Sequence, residues 1–165
     1  MNKEKIEQII KLLRELEDKP SLRLEPHNFR INSDGWKKIT VDDNFYLVNS
    51  KEDIWEFADG KYQGEQLFTW DAAMRETEKA GKKIPTNKEF SEILKTKSDM
   101  PNLVLAGYRS TDGTFSGRTT FAGFWSSSQY DASGAWNQFL YSGDATVGGG
   151  YYGKAYGFSM RCLKD

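Results

Sequence analysis

Residues 123–163 read GFWSSSQYDASGAWNQFLYSGDATVGGGYYGKAYGFSMRCL. Residues 123–127 and 135–141 are short, aromatic-containing runs that read as strands. Gly, Ser and Asp clusters between them mark turns. The same reading makes strands of 104–108 and 156–163. Gly148-Gly-Gly150 has neither the Gly-Lys-Ser/Thr ending of a phosphate loop nor a following helix, so it reads as hairpin or loop. The C-terminal third is therefore expected to be all strand and turn.

Helical signals lie upstream. Thr69 stands before Trp70, Ala73, Met74, Thr77 and Ala80, which recur on one face until Gly81 stops the run. Thr86 with Glu89 three residues on is a capping box, and Phe90, Ile93 and Leu94 supply the stripe behind it. Further back, residues 36–41 and 45–48 are β-prone, with Asp42-Asp43-Asn44 as their turn. Residues 20–66 as a whole read as short strands and turns. Ile6, Ile9, Ile10, Leu13 and Leu16 make an amphipathic helix ending before Pro20. Its apolar face fits packing on its own domain, docking against a partner helix or oligomerisation. Two helices followed by a run of strands give an α+β fold rather than βαβ units. The expected organisation is an N-terminal helix, 1–19, and a single domain, 20–165.

Composition narrows the function. The 165 residues carry 23 Lys plus Arg against 24 Asp plus Glu, too balanced for a whole-protein nucleic-acid footprint. Cys162 is the only cysteine and His27 the only histidine, so neither an intrachain disulfide nor a Cys- or His-rich metal cage can form. A serine triad would depend on His27 alone, which reads as an exposed loop histidine. Cys162 reads as a small buried hydrophobe. Asp42-Asp43 lacks the alternating oxygens of an EF-hand. No apolar run approaches the roughly 20 residues of a membrane span, and residues 1–11 are not a signal-peptide core. The expectation is a protein that is cytoplasmic or part of a virus-like or other assembled particle, with no cofactor and no metal. Charge drains along the chain: ten charged residues among the first 20, six after position 120. Tyrosine rises in exchange, with five of eight beyond Phe121. Tyr among Ser, Gly, Asp and Asn is the composition of a binding surface, because Tyr offers rigid contact area at low entropy cost.

Several segments together resemble a known family. Ile84-Pro-Thr-Asn-Lys-Glu-Phe90, Gly123-Phe-Trp-Ser-Ser-Ser128, Ala135-Trp136, Lys154 and Gly157-Phe-Ser-Met-Arg-Cys-Leu163 are similar, in this order, to the variable proteins of diversity-generating retroelements. Those proteins have a C-type-lectin fold of the formylglycine-generating-enzyme type. The resemblance covers residues 66–165. It implies two helices against a small twisted antiparallel sheet, with long loops at the binding surface and the variable region at about 123–163. It implies no formylglycine chemistry, since the copper-binding cysteine pair is missing. It implies no calcium-dependent sugar binding either, since the Glu-Pro-Asn motif is absent.

Diversification in that family acts on adenines, and the reachable codons exclude Trp, Gln, Lys and Met. Between Ser128 and Phe158 only Gln129, Trp136, Gln138 and Lys154 lie outside the reachable set. The resemblance thus implies a non-enzymatic binder of a protein or cell-surface ligand. Its contact residues would be Tyr130, Asp131, Ser133, Asn137, Phe139, Tyr141, Asp144, Thr146, Gly149, Tyr151, Tyr152, Tyr156 and Phe158. Trp125, Trp136, Arg161 and Cys162 would be scaffold. The rival readings are an invariant adhesion or structural module of the same fold and an enzyme of the formylglycine-generating type with altered chemistry.

Overall fold

The computed structural model describes residues 2–18, 22–27, 29–32, 34–41, 43–49, 51, 53–58 and 60–164. Among them the chain is α+β, with three α-helices and antiparallel sheets. Helix α1, Lys3–Asp18, is followed by a four-stranded sheet in sequential order. Its strands are β1 Lys37–Val41, β2 Asn44–Val48, β3 Ile54–Phe57 and β4 Gln66–Phe68. Helices α2, Trp70–Lys79, and α3, Asn87–Ile93, come next. A two-stranded ribbon, β5 Tyr108–Arg109 and β6 Phe115–Ser116, leads into a three-stranded sheet. That sheet is β7 Phe121–Gln129, β8 Gly134–Tyr141 and β9 Val147–Gly153.

The two central helices start and stop where their caps dictate. The Thr69 hydroxyl accepts from the Ala72 N–H at the head of α2, and Gly81 beyond its end has φ +69°. At α3 the Thr86 hydroxyl accepts from the Glu89 N–H at 3.1 Å, and the Glu89 carboxylate accepts from the Thr86 N–H at 2.9 Å. Such caps are each worth about 0.5–2 kcal/mol. The hairpin between β1 and β2 also forms; Asp43 takes φ +62° in its turn, and Asp42 lies outside the described residues.

Three differences from the sequence reading stand out. Of residues 104–108, expected as a strand, only Tyr108 enters one, as the first residue of β5. Glycine-rich 147–153 is a strand, paired along its length with β8 from Gly134↔Gly153 to Leu140↔Val147. The C-terminal segment 156–163, expected as a strand, forms only isolated bridges: Arg109↔Gly157, Phe68↔Phe158, Phe124↔Ser159 and Leu24↔Leu163. Its backbone has partners on β4, β5 and β7. The Phe158 N–H donates to Phe68 O at 2.9 Å, and the Ser159 N–H donates to Gly123 O at 3.0 Å. This tail laces the two larger sheets together.

Around it lies the main core, where Trp125, Phe124, Phe68, Phe90, Leu140, Phe158 and Met160 are buried. A second cluster, Tyr46, Val48, Trp55, Phe57 and Leu67, fills the four-stranded sheet. Cys162 is a buried free thiol, and Arg161 is buried with it. The Arg161 guanidinium donates to Asn102 O at 3.1 Å and lies over the Phe124 ring. Both side chains are therefore part of the packed interior. Gly123 shows how tight the aromatic packing is: a Cβ there would sit 2.6 Å from Phe158 Cδ1.

Helix α1 is the exception to this packing. Ile6, Ile9, Ile10, Leu12 and Leu13 are all exposed. The side chain of Leu16, the last position of the stripe, and Pro20 lie outside the described residues. No helix among the described residues is long and apolar enough to cross a membrane.

Candidate functional site

Strand β9 is the edge of the C-terminal sheet, and its pairing with β8 sorts the tyrosines by face. Successive side chains of a strand point to opposite faces. Trp136 stands opposite Tyr151 on one face, and Ala135 stands opposite Tyr152 on the other. Two aromatic clusters result, one on each side of the β9 edge.

The first cluster sits at the turn between β7 and β8. The Tyr130 and Tyr151 rings stack at 3.7 Å and 5°. Each meets Trp136 edge-on, at 5.3 and 5.5 Å. The Tyr151 hydroxyl beside it holds the Tyr130 phenol above its ordinary pKa. Asp131 closes the turn. Its Oδ1 accepts from the backbone N–H groups of Ser133 at 2.9 Å and Gly134 at 2.7 Å, and from the Ser133 hydroxyl. Those bonds, the Ser133 backbone first, hold the Asp131 carboxyl below its usual range.

The second cluster is a cavity of ≈ 290 Å³ whose walls include Tyr108, Phe121, Tyr141 and Tyr152 and whose floor is Phe158. Tyr152 meets Phe139 edge-on at 5.4 Å and Phe158 at 5.5 Å, and its neighbour Tyr156 at 5.4 Å. Burial, reinforced by the neighbouring tyrosines, raises the Tyr152 phenol. Ser116 and Thr120 are the other polar side chains of the lining, which contains no acid and no base. An apolar or aromatic group fits there without desolvating a charge.

A third group lies apart, at the turn between β8 and β9. The Asp144 Oδ1 accepts from the Thr146 N–H and hydroxyl, bonds that lower the Asp144 pKa in that order. The Lys97 ammonium caps the neighbouring carbonyls of Tyr141 and Ser142. Gly149 is exposed on β9, opposite Gln138.

Two expected contact residues are not on the surface. Asn137 is 0 % exposed because its register with Trp125 and Gly150 points it into the sheet packing, and both its amide atoms lack a hydrogen-bond partner. Phe158 is 1 % exposed; it packs edge-on against Trp125 at 4.8 Å and is reached from outside only as the cavity floor. Phe139 and Tyr156 are half-buried supports. Tyr130, Tyr141, Tyr151 and Tyr152 are exposed by 47, 48, 52 and 40 %. Tyr108, Phe121, Ser116 and Thr120 were missed by the sequence reading. Their only signal is the pairing of Phe121 with Tyr141, which needs the register to be known.

The four residues outside the adenine-reachable set are engaged. The Gln138 amide donates to Asn87 Oδ1 on α3 at 2.8 Å. The Lys154 ammonium donates to Gln129 Oε1 and to Ala132 O, and lies 4.7 Å from the Trp70 ring centre. Trp136 backs the Tyr130–Tyr151 stack. A wider cleft of ≈ 670 Å³ between α2 and α3, with Met74, Thr77, Lys83, Ile84 and Glu89 in its walls, contains none of the expected contact residues. His27 is exposed, and among the described residues no cluster of three His, Cys, Asp or Glu side chains could hold a metal ion. Comparisons with protein-family models, with curated proteins and with solved structures find no match for the chain.

Proposed function

We propose that this chain is a ligand-binding protein without catalytic activity, which displays a diversifiable surface on a C-type-lectin scaffold in the manner of retroelement variable proteins. One observation carries the reading. The exposed tyrosines gather on the C-terminal sheet at positions that adenine diversification can reach, while Gln138 and Lys154, which it cannot reach, tie that sheet to Asn87 and to the β7–β8 turn. Two helices beside a small antiparallel sheet support the lectin-type arrangement. The ligand is a protein or cell-surface molecule that meets Tyr130, Tyr141, Tyr151 and Tyr152 around the β9 edge. An apolar or aromatic side chain of that ligand enters the cavity between Tyr141 and Tyr152. Rigid aromatic anchors around a pocket are where interface energy concentrates.

The test is a combined replacement of Tyr141, Asp144, Tyr151 and Tyr152 by Ser, followed by thermal melting and by binding to intact host-type cells. Folding should survive, since exposed substitutions usually change stability by no more than about 0.5 kcal/mol each. Binding should be lost. A variant that unfolds, or that binds as the parent does, removes the support for this surface.

A further inference from the structure

We propose that α1 is a self-association helix that pairs antiparallel with α1 of a second copy of this chain. Ile6, Ile9, Leu13 and Leu16 follow one another at spacings of three, four and three residues, the a/d repeat of a two-helix seam. The described members of the stripe, with the flanking Ile10 and Leu12, are 43–54 % exposed. A helix of 16 residues draws most of its stability from packing an apolar face, and this face is unpacked within the chain.

Charge decides what covers it. Lys3 and Lys5 flank Glu4 at the N-terminal end, and Glu15, Glu17 and Asp18 stand at the C-terminal end, with no basic residue in the last turn. The acidic C-terminal end opposes the helix's own macrodipole. An antiparallel copy offsets that penalty, because the acidic end of one helix then lies beside Lys3 and the positive dipole end of the other. With Ile9 layered on Leu13 of the second copy, position 3 flanks position 17. A lipid surface is a poorer match: the helix carries four basic and five acidic residues, whereas membrane-lying helices are rich in Lys and Arg. Ile10 and Leu12 widen the stripe beyond a two-helix seam, so two antiparallel pairs can close as a four-helix bundle. Paired copies would engage a multivalent ligand with an avidity that one surface lacks.

Sedimentation equilibrium of the full chain at high micromolar concentration should give two or four times the 18.9 kDa monomer. An Ile9→Asp/Leu13→Asp variant should keep the parent's main melting transition and weaken self-association by about 100-fold or more, at least tenfold for each aliphatic removed from the seam. A Lys3→Cys/Glu17→Cys variant should oxidise to covalent dimers linked 3 to 17, and Lys3→Cys alone should not; Cys162 is too buried to interfere. A monomeric parent, a trimer, an assembly that survives the double substitution, a Lys3→Cys homodimer, or a monomer that binds lipid vesicles would each overturn the proposal.

Discussion

Trp125→Ala is the sharpest test of how this fold holds without a disulfide. Trp125 is 0 % exposed, and its indole packs edge-on against Phe158 at 4.8 Å. Its Nε1–H donates to Phe68 O at 2.7 Å. Truncation removes the largest wedge between β7 and the tail, and aromatic-to-alanine changes in a core cost about 3–5 kcal/mol. In a chain of this size that is about 6–20 °C of melting temperature. Trp125→Phe separates packing from hydrogen bonding. Phe68 O also accepts from the Phe158 N–H at 2.9 Å, so losing the indole donor leaves no orphaned carbonyl. The expected cost is only about 1–2 kcal/mol. Urea titrations of both variants measure the difference. An unshifted midpoint for Trp125→Ala, or equal costs for the two variants, would refute the packing argument.

Three further outcomes follow from the geometry. Gly123→Ala should destabilise by about 1–3 kcal/mol in a denaturant titration, because the new methyl group meets Phe158 Cδ1 at 2.6 Å in a packed core. Asn137→Leu should melt at or above the parent temperature, since both buried amide atoms lack partners and an apolar group of similar length loses no hydrogen bond; a clear fall in melting temperature would show that the amide is needed. Burial holds the Glu65 carboxyl above its ordinary pKa despite the opposing fields of Arg161 and His27. A raised folded-state pKa means stability that is present at low pH and lost as pH rises through that value. The melting advantage of Glu65→Gln over the parent should therefore grow between about pH 4 and pH 7, and an advantage that shrinks would reverse the assignment.

Local signals were legible, and signals that depend on a distant partner were not. Thr69, Thr86 and Glu89 announce α2 and α3 because a cap is complete within four residues. Short aromatic-containing runs between Gly-rich turns announce β7 and β8. Strand β9 has no such pattern: Gly148, Gly149 and Gly150 carry no side chains, and their extended conformation comes from pairing with β8. The tail 156–163 has the composition of a strand but meets Phe68, Phe124 and Leu24 in turn and joins no ladder.

The surface divides along the same line. Exposed Tyr130, Tyr141, Tyr151 and Tyr152 follow from composition. The placement of Asn137 depends on where the register of β7 with β8 shifts, between Trp125 and Gln129, which no local pattern encodes. Phe158 is hidden by the tail's own bridge to Phe68.

The central claim, a fixed scaffold carrying a diversifiable surface, is tested most directly by sequencing the DNA around this gene. The account predicts a near-identical repeat of the segment encoding residues 123–163, beside a reverse-transcriptase gene. Its mismatches should be confined to adenines and should fall on the codons of Tyr130, Tyr141, Tyr151 and Tyr152, sparing those of Trp136, Gln138 and Lys154. Mismatches spread over all four bases, mismatches in the scaffold codons, or the same four tyrosines unchanged across independent isolates with no repeat nearby would contradict it.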